Sequence, residues 1–280
     1  MELQFYAHGK LLLTGEYFVL DGAAALAFPA AYGQHMKVHP GPGPYEVNWH
    51  ALDEKGQTWL SCKFSGIDFQ LLETNDTESA ERLQSILKTC RNLNPEFLLA
   101  RHRYSVETVL EFPRAWGLGT SSTLISMIGK WAEVNPWQLL ENTFGGSGYD
   151  LACAETQHPI LYRLLDGQGH SELVKLHPEL YKKMHFVYLG NKQNSREGIR
   201  MYRSKGKPGV QLLNEINQLT SDFISAQDIS QLTTAMVKHE KLVGKYLGIT
   251  PLQEREFPDF KGALKSLGAW GGDFFAAVAE

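Results

Sequence analysis

The spacing of apolar positions changes repeatedly along the chain, and each change marks an element. Residues 3–21, LQFYAHGKLLLTGEYFVLD, are mostly apolar, with Gly9 and Gly15 as punctuation. They predict a strand, a glycine turn and a second strand continuing into GAAALAFPA, where small residues permit close backbone packing. Between residues 36 and 72, short alternating pieces, YEVNWHAL and TWLSCKFSG among them, are divided by PGPGP and DEKGQ. That pattern predicts antiparallel strands joined by turns. Residues 76–92 carry Leu83, Ile86 and Leu87 on one face of an amphipathic helix. HRYSVETVLEFP then reads as a strand. Leu124, Ile125, Ile128 and Trp131, with Met127 beside them, recur at helical spacing. PWQLLENTF predicts a brief second helix with Pro136 near its start.

Beyond Asp150, ILYRLLDG and SELVKLH alternate as strands of a second sheet, and MHFVYLGN is a further strand. Helices are expected over 196–204, 209–226 and 228–247, the last with Leu232, Met236, His239 and Val243 at helical spacing. The tail, FKGALKSLGAWGGDFFAAVAE, predicts a helix, a turn built on Gly268, Gly271 and Gly272, and a strand of small residues. No internal repeat or low-complexity segment interrupts the order. Strands and a helix followed by a second strand-and-helix region give an α+β class in two halves. We place their boundary at 1–155 and 156–280.

Composition narrows the picture. The 280 residues suffice for one large domain or two ordinary ones, and 43% hydrophobic with 21% charged residues is usual for a soluble globular chain. A net charge of −4 offers no general attraction to nucleic acid or anionic membrane, so neither is expected as a partner. Any phosphate binding must be local. No stretch approaches the roughly 18 apolar residues of a membrane span. The N-terminal MELQFYAHGK lacks a signal-peptide layout. Cys62, Cys90 and Cys153 are far apart and odd in number, which predicts free thiols in a reducing cytoplasm.

The candidate chemistry centres on Pro113–Trp131, PRAWGLGTSSTLISMIGKW. Gly117 and Gly119 let a backbone approach a ligand closely, and a hydroxyl-rich N-cap, TSST, starts the helix. The first turn of a helix carries unpaired N–H groups and positive potential, a setting for phosphate. The alternative is a glycine turn before a well-capped core helix. Lys10, Glu16 and Asp21 interrupt an apolar run, and charges there are expected at strand edges or turns, facing water. His35 and His39 lie four apart, but in strand-rich surroundings without a third ligand they read as edge histidines. Asp150 follows Gly145, Gly146, Ser147, Gly148 and Tyr149, and reads locally as a helix N-cap.

As a set, these segments resemble the GHMP kinases, the superfamily of galactokinase, homoserine kinase, mevalonate kinase and phosphomevalonate kinase. AHGKLLLTGEYFVLDG looks like their first motif, PRAWGLGTSST the second, GAWGGD the third, and GGSGYDLA the segment with the catalytic aspartate. The resemblance runs in order from residue 7 to 278. It implies a two-lobed fold, with an N-terminal half like ribosomal protein S5 domain 2 and a ferredoxin-like C-terminal half. It also implies ATP and Mg²⁺ as cofactors and a small-molecule acceptor. By the same resemblance, Gly117, Leu118, Gly119, Thr120, Ser121 and Ser122 would hold the ATP phosphates. Ser121 would contribute to the metal, with Glu141 as a second ligand whose spacing matches less cleanly. Asp150 would be the general base, and Lys10 would keep it ionised and favour the developing alkoxide. Glu16, Tyr17, Ser147, Gly148, Ser195 and Arg196 would line the acceptor pocket. Gly268, Gly271, Gly272 and Asp273 belong to the third motif.

The chain also departs from the family. His8 stands where proline is usual, and residues 122–149 are all that separates Ser121 from Asp150, less than relatives place there. Trp270 interrupts a loop that is usually all small, where its indole would either narrow the phosphate site or pack beneath it. The chain stops soon after the third motif, which fits either a reduced C-terminal half or a trimmed sequence. No G-x-x-x-x-G-K-[ST] sequence or protein-kinase signature occurs. A mevalonate-type kinase is therefore expected, with phosphomevalonate or a sugar as alternative acceptors. A nucleotide-binding regulator without transfer activity is the reading from another class. A homodimer is the oligomer left open.

Overall fold

The structure, a computed structural model, describes residues 2–190, 195–270 and 273–279. Their strands are β1 (Leu3–Leu12), β2 (Ala25–Gly41), β3 (Glu46–Leu52), β4 (Thr58–Ser65), β5 (Leu71–Thr74), β6 (Arg103–Leu110), β7 (Ile160–Leu165), β8 (Gln168–Leu173), β9 (Met184–Tyr188), β10 (Gly262–Ser266) and β11 (Phe274–Ala279). The helices are α1 (Thr77–Leu93), α2 (Thr120–Ala132), α3 (Pro136–Glu141), α4 (Tyr149–Ala154), α5 (Pro178–Tyr181), α6 (Ser195–Ser204), α7 (Val210–Ser225), α8 (Ile229–Leu247) and α9 (Leu252–Glu256). The class is α+β. The chain forms two compact units. One comprises Met1–Gly9, Ala30–Arg114 and Leu118–Glu155, and the other Lys10–Pro29, Ala115–Gly117 and Thr156–Glu280.

In the first unit the strands run in the order β5-β4-β3-β6-β2. Here β3 and β6 are parallel, with Val47 opposite Tyr104 and Trp49 opposite Val106, while the neighbouring pairs are antiparallel. Alternation aims Val47, Trp49 and Ala51 inward, onto Leu83, Ile86 and Leu87 of α1 and Ile125 and Ile128 of α2. The start of α1 is fixed by Asp76, whose carboxylate accepts from the Ser79 N–H at 3.2 Å, a cap that contributes about 1 kcal/mol. Cys62, Cys90 and Cys153 are buried free thiols.

In the second unit β7 pairs with the beginning of β2, Ala25 opposite Tyr162, and forms a hairpin with β8. These strands join β2 rather than β9. Instead, β9 lies in a separate antiparallel sheet of order β10-β11-β9. Tyr17, Phe18, Tyr202, Ile216, Val243, Leu247 and Trp270 make one core cluster of this unit. Among the described residues, no helix is long and apolar enough to cross a membrane.

Two expected elements differ. Residues 16–21 form a turn and a short 3-10 helix, Phe18–Asp21, instead of a strand, with Tyr17 at φ 63° at its start. Residues 260–268 hold β10 instead of a helix, because Ala263, Leu264, Lys265 and Ser266 are all buried. A strand covered on both faces shows no alternation by which to recognise it.

The charges of the first segment are also not where water would keep them. Glu16 and Lys265 are fully buried and hydrogen-bonded to each other. Asp21, with a side chain only 5% exposed, accepts from the Tyr202 hydroxyl at 2.6 Å and pairs with Arg203 at 3.0 Å. His239, also fully buried, accepts the Gly15 N–H on Nε2 at 3.1 Å, which fixes it as a neutral imidazole. Burial pushes its pKa well below the usual value in the same sense. Burial raises Glu16 to about 7, against the pull of the Lys265 ammonium, which acts to lower it. Lys265→Met leaves the carboxyl buried without a counter-charge, at an expected cost of about 3–5 kcal/mol at pH 8. A carboxyl whose pKa is raised by folding favours the folded state below its unfolded value and costs it as pH rises through the folded value. Urea denaturation should therefore show a smaller loss for this variant at pH 5 than at pH 8. Equal losses would mean that Lys265 does not govern the ionisation of Glu16.

Candidate active site

In the first unit, the loop enters α2 through Gly119, which is the N-cap at φ 90° without a side-chain cap bond. The hydroxyl residues are therefore not the cap but the first helical turn. The Ser122 and Thr123 N–H groups both donate to Gly119 O at 3.1 Å. The Thr120 and Ser121 amides precede these bonds, as first-turn donors do. Ser121 is exposed, Thr120 half-buried and Ser122 buried. The Thr123 hydroxyl is held inward, donating to Gln34 Oε1 at 2.6 Å. Leu118 is buried beneath this turn, and a Cβ on Gly9 would lie 3.1 Å from Leu118 O, so glycine at position 9 admits the loop beside β1.

The aspartate segment of the same unit is built alike. Gly148, at φ 83°, is the N-cap of α4. Asp150 is thus not a cap. It is half-buried in the first turn of that helix. Ser147 and Gly148 are buried just before it. Glu141 is exposed at the last position of α3. No group of three or more His, Cys, Asp or Glu able to hold a metal occurs among the described residues. His35 pairs with Glu111 at 2.9 Å and His39 with Glu2 at 3.4 Å, both largely exposed.

The second unit holds the other half of the loop. Lys10 Nζ donates to the Gly117 carbonyl at 3.3 Å. Gly117 has φ +67°, and a Cβ there would lie 2.8 Å from Asp273 Oδ2, so the third-motif carboxylate rests against the first glycine of the loop. Glu16 and Tyr17, expected at the acceptor pocket, are turned inward instead. Glu16 is fully buried with Lys265, and Tyr17 is only 7% exposed, its hydroxyl accepting from the Trp270 N–H at 3.1 Å. Burial, with the negative charges of Glu16 and Asp273, raises that hydroxyl to about 12, while the bond from Trp270 opposes the rise. Gly268 is half-buried at φ 62°. Gly271 and Gly272, and the side chains of Ser195 and Arg196, lie outside the described residues.

No protein-family model and no curated protein matches the chain. Solved structures do. Methanococcus jannaschii mevalonate kinase superposes with TM-score 0.71 at 13% identity, covering 100% of this chain and 91% of that one. Streptococcus pneumoniae phosphomevalonate kinase, in complex with phosphomevalonate and AMPPNP, gives 0.70 at 16% identity over 99% and 92%. Lactococcus lactis galactokinase, complexed with galactose, gives 0.69 at 13% identity over 99% and 85%. The fold is that of the GHMP kinases.

In this GHMP kinase fold Lys265, the buried partner of Glu16, was not singled out in the sequence, whereas Trp270 takes the second of its two expected placements. The signal for Lys265 was a lone cation inside the otherwise small and apolar GALKSLGA. Trp270 packs beneath its loop, 2% exposed, against Tyr17, Tyr202 and Val243. A Cβ on Gly244 of α8 would lie 2.6 Å from the Ile249 carbonyl and 3.3 Å from the indole, so glycine there admits the carbonyl first and gives the ring room. Trp270→Ala should cost about 3–5 kcal/mol of stability in urea denaturation. A loss within about 0.5 kcal/mol would place the indole on an open surface instead.

Proposed function

We propose that this protein is an ATP-dependent small-molecule kinase, with a mevalonate-type hydroxyl as the first acceptor to test and phosphomevalonate or a sugar as alternatives. The observation that carries it is Lys10, whose ammonium is hydrogen-bonded to the carbonyl of Gly117, the first glycine of a loop leading into a helix N-terminus. A cation held on the first glycine of such a loop supports reading that loop as one that takes phosphate. The low identity to mevalonate kinase, phosphomevalonate kinase and galactokinase leaves the acceptor to the site itself.

In this reading the amides of Gly119, Thr120 and Ser121 hold phosphate oxygens. Asp150 takes the proton of the acceptor hydroxyl as that oxygen forms its bond to the γ-phosphorus and the bond to the ADP oxygen breaks. Lys10 offsets the charge that develops on the transferred group. Mg²⁺ would supply charge neutralisation on the phosphates, with Ser121 as the residue that would hold it. The exposed Ser121 hydroxyl suits an ion that keeps most of its water, with Glu141 as the further candidate.

The second reading is a nucleotide-binding regulator. Burial of Glu16 and Tyr17 favours it, because two residues expected at the acceptor are committed to packing. ADP release from Mg·ATP, measured with mevalonate, phosphomevalonate and common monosaccharides, separates the two. The kinase reading requires acceptor-dependent release with one of them. Asp150→Asn should then lower kcat by at least about a hundredfold while sparing ATP affinity. Unchanged turnover would remove Asp150 from the base role, and ATP binding without acceptor-dependent release would favour the regulator.

A further inference from the structure

Residues 115–117 are held from several sides within the second unit. The Tyr188 hydroxyl donates to Ala115 O at 3.2 Å. Trp116 packs edge-on against Phe274, ring centroids 5.5 Å apart, and lies 6.1 Å from the Tyr188 ring. Lys10 bonds the Gly117 carbonyl, and Asp273 rests on the Gly117 Cα. The Asp273 backbone is itself fixed: its carbonyl accepts the Leu189 N–H at 2.8 Å, and its φ is 53°, a left-handed value uncommon outside glycine. That bend begins β11 and turns the carboxylate toward the loop.

We propose that Asp273 is a positioning residue that sets the Gly117 peptide and, through its carbonyl, the Lys10 ammonium. The inference rests on the kinase reading and deepens it. Glycine at 117 is then required for two separate reasons, since its φ of +67° disfavours any L side chain and Asp273 fills the space a Cβ would take. The two positions form one coupled unit. A change at 273 reaches the phosphate through the loop backbone, without Asp273 touching the nucleotide.

The test is a mutant cycle on the full chain, read by titration with a fluorescent ATP analogue, by steady-state kinetics and by thermal midpoint. Asp273→Ala should weaken analogue binding and lower kcat, by roughly ten- to hundredfold together, from misplacement alone. Asp273→Asn, which keeps the shape, should recover most of that loss. Gly117→Ala should bind worst, and Gly117→Ala with Asp273→Gly should bind tighter than Gly117→Ala alone, because removing the carboxylate opens the space. Additive effects in the cycle, or an Asp273→Ala protein with unchanged affinity and kcat, would overturn the inference while leaving the kinase reading intact. So would a thermal midpoint that falls in step with affinity across all variants, since that marks a merely structural contact. Wild-type protein that binds no nucleotide would overturn both.

Discussion

Much of the second unit depends on one contact, the buried pair of Glu16 and Lys265. Taking two charges out of water costs several kcal/mol each, and their attraction roughly offsets this, so the pair is weak as a source of stability. Its force is in what it forbids. Side chains alternate along a strand, and a one-residue slip of β10 would turn Lys265 to the opposite face, away from Glu16. Each charge would then be buried alone. The pair therefore pins β10 in the register that sets Ser266 opposite Phe275 in β11. Because Asp273 immediately precedes β11, the same register places its carboxylate against Gly117. A buried ion pair thus bears on the geometry of the candidate phosphate loop.

The surroundings of that pair are arranged to tolerate it. His239 remains neutral and uses Nε2 to accept the Gly15 N–H, so it adds no second positive charge. The Glu240 carboxylate, also buried, accepts from Ser266 N at 2.9 Å, Ser266 Oγ at 2.8 Å and Leu252 N at 3.2 Å. Its charge is spread over donors on two elements, as a buried carboxylate requires. The third motif is anchored close by: the Trp270 indole packs in the core with Tyr17 and Val243 of α8, and the Trp270 backbone N–H donates to the Tyr17 hydroxyl. A tryptophan in a loop of small residues is thereby reconciled with that loop. The bulk goes into the core of the second unit.

Elements with a strong period were legible in the sequence, and those without one were not. The helices α1, α7 and α8 lie within a residue or two of their expected bounds, because a solvated face and a buried face alternate cleanly along them. The strands β3, β4 and β6 were legible for the analogous reason. Residues 260–268 failed because β10 is buried on both sides, which erases the alternation. Residues 16–21 failed because their apolar character reflects a 3-10 turn folded into the core rather than a strand. At the candidate site the glycine loop and the aspartate segment were legible as motifs. The burial of Glu16 and Tyr17 was not, since the partner Lys265 lies far along the chain and nothing local distinguishes a solvated charge from a paired one. Both N-caps were misassigned for a shared reason: glycine at φ 90° and φ 83° took the cap, which moved Ser121 and Asp150 into the first turn.

That last shift bears on function. A core satisfied by volume and pattern alone tolerates wide change, which is how 13–16% identity coexists with full-length superposition on GHMP kinases. Unusual backbone is a different matter, since left-handed residues must be held in place by their surroundings. In this chain Gly117, Gly119, Gly148 and Asp273 all have positive φ, and each sits at or beside a candidate phosphate or acceptor residue. Gly119 and Gly148 also spend the cap position of a helix on a residue that supplies no side-chain bond, where serine or aspartate at the cap would stabilise the helix more. A fold serving only its own stability would gain by placing Ser121 and Asp150 one or two positions earlier. Keeping them in the first turn, with the hydroxyl of Ser121 open to solvent, gives up capping energy and leaves groups free to meet a ligand. That exchange suits the phosphate and base roles proposed for Ser121 and Asp150.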